Sequence, residues 1–97
     1  MGVYERIVAG AELFANRNSE YGDAYKTHGE IMKAFFPDGV VLKSPSDFLR
    51  FGLVNAIVGK INRYARNFNA GGHADSLRDA GVYCYMLEEV DGENSKR

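Results

Sequence analysis

The sequence has no tryptophan, a single cysteine and almost no net charge: 12 Lys and Arg stand against 13 Asp and Glu, which leaves -1. Each shortage excludes something. A lone Cys84 cannot staple the chain to itself, so no disulfide framework is available and a reducing compartment, the cytoplasm, is expected. A near-neutral chain lacks the basic excess of a nucleic-acid binder, so any phosphate recognition must be local. No apolar run approaches a membrane span, and the first residues carry no signal-peptide pattern. The expectation is a soluble cytoplasmic chain with neither nucleic acid nor membrane as partner.

What is present then sets the scale. Ninety-seven residues at 45% hydrophobic and 26% charged make one domain with a modest core. Six Tyr and six Phe are many for so small an interior. Some of these aromatics are therefore expected at an interface between subunits.

The periodicity predicts four helices and no strand. The first covers about Tyr4 to Asn16, where "NRNSEYGD" brings in turn-favouring residues. The second covers Asp23, an N-cap residue, to about Phe36, with Tyr25, His28, Met32, Phe35 and Phe36 near one face. "PDG" then marks a turn, and Val40 to Leu42 form a short extended segment. "SPSD" opens the third helix with Ser44 at N-cap, Pro45 at N1 and an acid at N3. That helix runs to about Phe68 behind a stripe of Val54, Ile57, Val58, Ile61, Tyr64, Ala65 and Phe68. "NAGG" ends it, and the fourth covers about His73 to Val90. Short connections between amphipathic helices imply a small four-helix bundle over residues 1–91, with 92–97 a flexible tail.

Chemistry concentrates on the last two helices. Lys60, Arg63 and Asn67 stand at i, i+3 and i+7 beside the small Ala56 and Gly59. Small residues admit a flat ligand, the cations suit phosphates, and Asn suits a base or ribose edge. A solvated charged face has the same pattern, and that reading stays open. Asn55, Asn62 and Arg66 lie further round the rod and read as surface. On the fourth helix Leu77, Ala80, Gly81, Cys84 and Leu87 make one apolar face. Asp75 and Asp79 lie nearly opposite with Val82 and Met86. A helix apolar on two sides is central in a bundle or shared between subunits, so a homo-oligomer is expected. Asp75 suits the helix dipole. Asp79 sits deeper and needs a partner: a metal ion, Lys60 or Arg63, or backbone amides. His73 reads as a cap, and Cys84 as packing rather than as a nucleophile. In "RNSEYGDAY", Tyr21, Gly22 and Asp23 put an aromatic, a joint and an acid at a helix start. Such a start can hold an anion or can be an ordinary capped turn.

Taken in order, "RNSEYGD", "GKINRYARN" and "HADSLRDAGVYCYML" resemble the phage and bacterial domains called nucleotide modification associated domain 1. Those are similar to the MazG-like all-α nucleoside triphosphate pyrophosphohydrolases. The resemblance covers about residues 17 to 87 and falls on Tyr21, Gly22, Asp23, Lys60, Arg63, Asp75, Ser76, Leu77, Asp79 and Tyr83. It implies an all-α fold and a nucleotide ligand. Catalytic MazG-like enzymes hold magnesium with two acidic pairs, Glu-x-x-Glu and Glu-x-x-Asp. This sequence departs from that pattern: helix two has only Glu30 in its middle, and Glu20 and Asp23 straddle a glycine.

Two functions follow as expectations. In the first, the chain captures a nucleotide, such as a cyclic or ADP-ribose-like immune signal, at an oligomer interface without hydrolysis and without a cofactor. Its ligand contacts would be Tyr21, Asp23, Lys60, Arg63, Asn67, Asp75 and Asp79. In the second, Asp75 and Asp79 hold Mg2+ in a nucleotide pyrophosphohydrolase. The thin acidic cluster favours the first.

Overall fold

The computed structural model describes residues 2–95, with the side chains of 20, 21, 24, 94 and 95 left aside. Among the described residues there are four α-helices and no strand: α1 (Val3–Tyr21), α2 (Ala24–Phe35), α3 (Pro45–Arg66) and α4 (Ala74–Ser95). A 3-10 turn over Phe68–Ala70 joins the last two. No described helix is long and apolar enough to cross a membrane.

The helix starts lie where the sequence places them, and the ends shift. At α3 the Ser44 side chain accepts from the Asp47 amide, while the Asp47 carboxylate accepts from the amides of Ser44 and Lys43, all at 3.1 Å. This is the full reciprocal capping box, with Pro45 following at N1. α1 does not stop at Asn16. Its turn-favouring residues turn inward instead: the Ser19 hydroxyl donates to the Asn16 carbonyl at 2.8 Å, a bond made inside a helix. The break comes at Gly22, whose φ of +65° only glycine adopts without strain. α4 likewise passes Val90 and continues to Ser95, so the expected tail is helical as far as the described residues go. The Asp91 carboxylate, 2.7 Å from Arg50 Nε, ties that end of α4 to α3.

α3 is the central rod. Toward α2 it presents Phe51, Asn55 and Arg66, which meet Phe36 (ring centroids 5.7 Å apart), His28 (2.6 Å) and Thr27 (3.3 Å). Toward α4 it presents Arg50 and Lys60, which meet Asp91 and Asp79. At 3.6 residues per turn these two sets fall on nearly opposite sides of the rod. Asn55 and Arg66, which read as plain surface in the sequence, thus tie helices together. The turn into α4 needs Gly71 and Gly72, both at positive φ. A Cβ on Gly72 would sit 2.9 Å from the Tyr64 ring. His73 then caps α4: its Nδ1 accepts from the Ser76 amide at 3.3 Å and lies 2.6 Å from the Ser76 hydroxyl.

The bundle is open. Among the described residues only Val58, Ala80 and Ser76 are buried, and of these Ser76 alone is fully buried. The buried face of α4 runs through Ser76 and Ala80 to the half-buried Tyr83, Leu87 and Val90. That face keeps Ala80 and Leu87 of the expected one but is rotated about 75° from its centre, which leaves Leu77 and Cys84 exposed. The sequence wheel averaged two apolar flanks and missed the polar Ser76, which is buried because His73 satisfies it. The radius of gyration is 16.6 Å, where a compact chain of this length has about 12.5 Å.

The capping box makes one prediction. Hydrogen bonds from the Ser44 and Lys43 amides hold the Asp47 carboxyl below its ordinary value, with Arg50 adding to the effect. A lowered folded value means this stabilisation is complete above the ordinary carboxylate value and is lost as pH falls through the folded one. The melting-temperature gap between wild type and Asp47→Asn should therefore be open at about pH 6 and narrow steadily as the pH falls below the ordinary carboxylate value. A gap independent of pH would contradict the assignment.

Candidate functional site

Where α1 ends, α2 begins and α3 passes beneath, the chain forms a cleft of about 540 Å³. The sequence builds it in three steps. Phe14 and, on the extra turn of α1, Arg17 and Asn18 reach its rim at i, i+3 and i+4, one side of a helix. Gly22 then reverses the chain, and Tyr25 and His28 from α2 close the second wall. The Phe14 and Tyr25 rings meet edge to face, with centroids 6.4 Å apart and planes at 76°. The floor is α3, with Gly59, Asn62 and Arg63. A Cβ on Gly59 would stand 3.9 Å from the His28 ring, so the absence of a side chain there leaves the floor low.

The lining is apolar for the most part, with a few polar groups that converge. Arg17 and Arg63 line it together with Asn18 and Asn62. No carboxylate is among the described lining residues. The volume lies within the roughly 300–1,000 Å³ of small-molecule sites. Aromatic edges, planar cations and amides are the groups that receive an anionic ligand bearing a flat ring.

The candidate residues distribute as follows. Arg63 lines the cleft, and Gly59 beside it gives the predicted room. Lys60 turns to α4 and pairs with Asp79 at 3.0 Å, which supplies the partner that the aspartate required. Asn67 closes the end of α3, its amide donating to the Arg63 carbonyl at 2.8 Å. Asp75 lies at the surface, 3.4 Å from Arg78. Asp23 stands at the turn beside the cleft, 3.3 Å from Lys26. It also accepts from the Asn18 amide at 3.1 Å when that amide is turned to satisfy its neighbours. The Tyr21 side chain lies outside the described residues. The predicted line of Lys60, Arg63 and Asn67 is therefore split three ways, because α4 claims one edge of α3 and α2 another.

Phe14, Arg17, Asn18, His28 and Asn62 are cleft residues that the sequence reading did not select. The first three were legible as an i, i+3, i+4 set, but only to a reader who carried α1 past Asn16. For the carboxylates of the metal alternative the geometry is unfavourable. Asp75 and Asp79 are each engaged by a cation, and the described residues include no group of three or more His, Cys, Asp or Glu side chains placed to share an ion.

The chain matches no family model, no curated protein and no solved structure.

The Lys60–Asp79 pair carries a prediction about structure. It joins α3 to α4 with the lysine half-buried and the aspartate exposed. A double-mutant cycle with Lys60→Met and Asp79→Asn should give a coupling of about 0.5–1 kcal/mol in chemical denaturation, at the upper end for pairs open to solvent. A coupling indistinguishable from zero would show that the pair does not hold the helices together.

Proposed function

We propose that the chain is a nucleotide-binding protein that captures its ligand in the α1–α2–α3 cleft without turning it over, and that it works as a homo-oligomer. The observation that supports this most is the joint placement of Arg63 and Arg17 with the Phe14 and Tyr25 rings around one cavity of nucleotide size. The guanidinium groups would take the phosphates as planar forks of donors. The aromatic pair would receive the base, and Asn18 and Asn62 would meet its polar edge or the ribose. The resemblance to nucleotide modification associated domain 1 points the same way. Capture of a signalling nucleotide, cyclic or ADP-ribose-like, would lower its free concentration inside a cell.

Capture without hydrolysis is the better reading because the described lining residues include cations and amides but no carboxylate to act as base or hold a metal. The test is to incubate the purified protein with nucleotide panels, with and without Mg2+, then denature it by heat and chromatograph what is released. Recovery of intact ligand supports capture. Release of pyrophosphate that requires Mg2+ would replace this reading with the pyrophosphohydrolase alternative.

Arg63→Ala should weaken nucleotide binding by about 1.5–3 kcal/mol in calorimetry, the range for hydrogen bonds to charged groups. Asp75→Asn, on the far side of α4, should leave the affinity unchanged. Equal affinities for wild type and Arg63→Ala, with the fold intact, would remove the cleft from the mechanism.

A further inference from the structure

α1 meets α2 through Phe14 and Tyr25 but leaves most of its apolar face uncovered by its own chain. Every described side chain on it except Asn18 is exposed. The exposed ones include Tyr4 at 75%, Ile7 at 64% and Phe14 at 55%. Projected on a wheel, Val3, Tyr4, Ile7, Val8, Ala11, Phe14 and Ala15 fall in an arc of about 140°, with Asn18 inside it and Leu13 outside. Tyr4, Ile7, Ala11, Phe14 and Asn18 follow the 3-4-3-4 spacing of a coiled-coil seam, with Val3 and Val8 widening it. Glu5, Glu12, Arg6 and Arg17 all lie outside the arc. This spacing is the one by which a helix packs along another helix, and none of α2, α3 or α4 lies along it.

We propose that the occupant of this seam is α1 of a second copy of the chain. Two quantities favour a second copy. The accessible surface is 7361 Å², roughly 1,800 Å² more than a compact monomer of this mass exposes. A stable interface needs about 800 Å² from each partner, so the excess is sufficient. A symmetric interface also sets one patch against itself, which brings like charges together wherever the patch is charged. This arc carries none, and the chain as a whole carries only -1. The consequence for the cleft rests on the nucleotide-binding reading above. Phe14 and Asn18 belong to both the seam and the cleft, so the second copy lies beside the mouth of the cleft and next to the ligand. Assembly and ligand affinity then rise together.

The experiment begins without ligand, so that its failure is separable from failure of the binding reading. In sedimentation equilibrium at micromolar concentration the full chain should run at twice 10.8 kDa or more, and Ile7→Asp should shift it to 10.8 kDa. Circular dichroism should show that α2 to α4 stay helical in that variant. A cross-link keeps the idea testable even if Ile7→Asp unfolds. In a Cys84→Ser background, Ala11→Cys lies at the middle of the seam and meets its own copy whether the helices pair parallel or antiparallel. It should form a disulfide dimer under mild oxidation, whereas Ala9→Cys on the opposite face should stay monomeric. A monomeric wild type, an Ile7→Asp variant that remains assembled, or equal cross-linking at both positions would each overturn the proposal. Nucleotide affinity of Ile7→Asp is then measured separately, and a loss relative to wild type is expected.

Discussion

One rod organises this molecule. α3 starts at a capping box that fixes its first turn, and α2 and α4 lie along opposite sides of it. A helix flanked on two sides leaves two faces open, which explains why so few side chains are fully buried. Apolar burial is the main force for folding, at about 25 cal/mol for each Å² removed from water. A single copy of this chain leaves much of that contribution unused on α1 and on the outer side of α4, where Val82, Tyr85 and Met86 are exposed. Polar ties between helices, such as His28 with Asn55 and Arg50 with Asp91, orient the elements without replacing that burial.

The cleft follows from the same arrangement. Because α2 meets α3 chiefly through Thr27, His28 and Phe36, the space under the start of α2 is left for α1 to wall off. Gly22 makes the reversal possible and Gly59 keeps the floor low, two glycines with different duties. No acid is among the described residues that line the cleft, while Arg17 and Arg63 are. Such a separation of charge would favour an anionic ligand in a chain of almost neutral total charge.

Much of this was legible in the sequence and some was not, for identifiable reasons. "SPSD" specified its helix start completely because capping is local chemistry between residues three apart. His73 as a cap and Asp79 in need of a cation were likewise readable from position and charge. The end of α1 was misjudged because Asn16, Asn18 and Ser19 have turn propensity, which tertiary and intrahelical bonds overrode. The split of Lys60 from Arg63 was not legible at all. Both stand on one broad side of α3, and only the positions of α2 and α4 decide which neighbour each side chain meets.

The central claim is that the cleft between α1, α2 and α3 receives the nucleotide, and hydrogen exchange with and without ligand tests it most directly. Binding there should slow exchange at the end of α1 and the start of α2, from about Phe14 to His28, with added protection around Arg63. Protection centred on Asp75 and Asp79 at the start of α4, with the α1–α2 turn unchanged, would contradict the account and return the site to the aspartates.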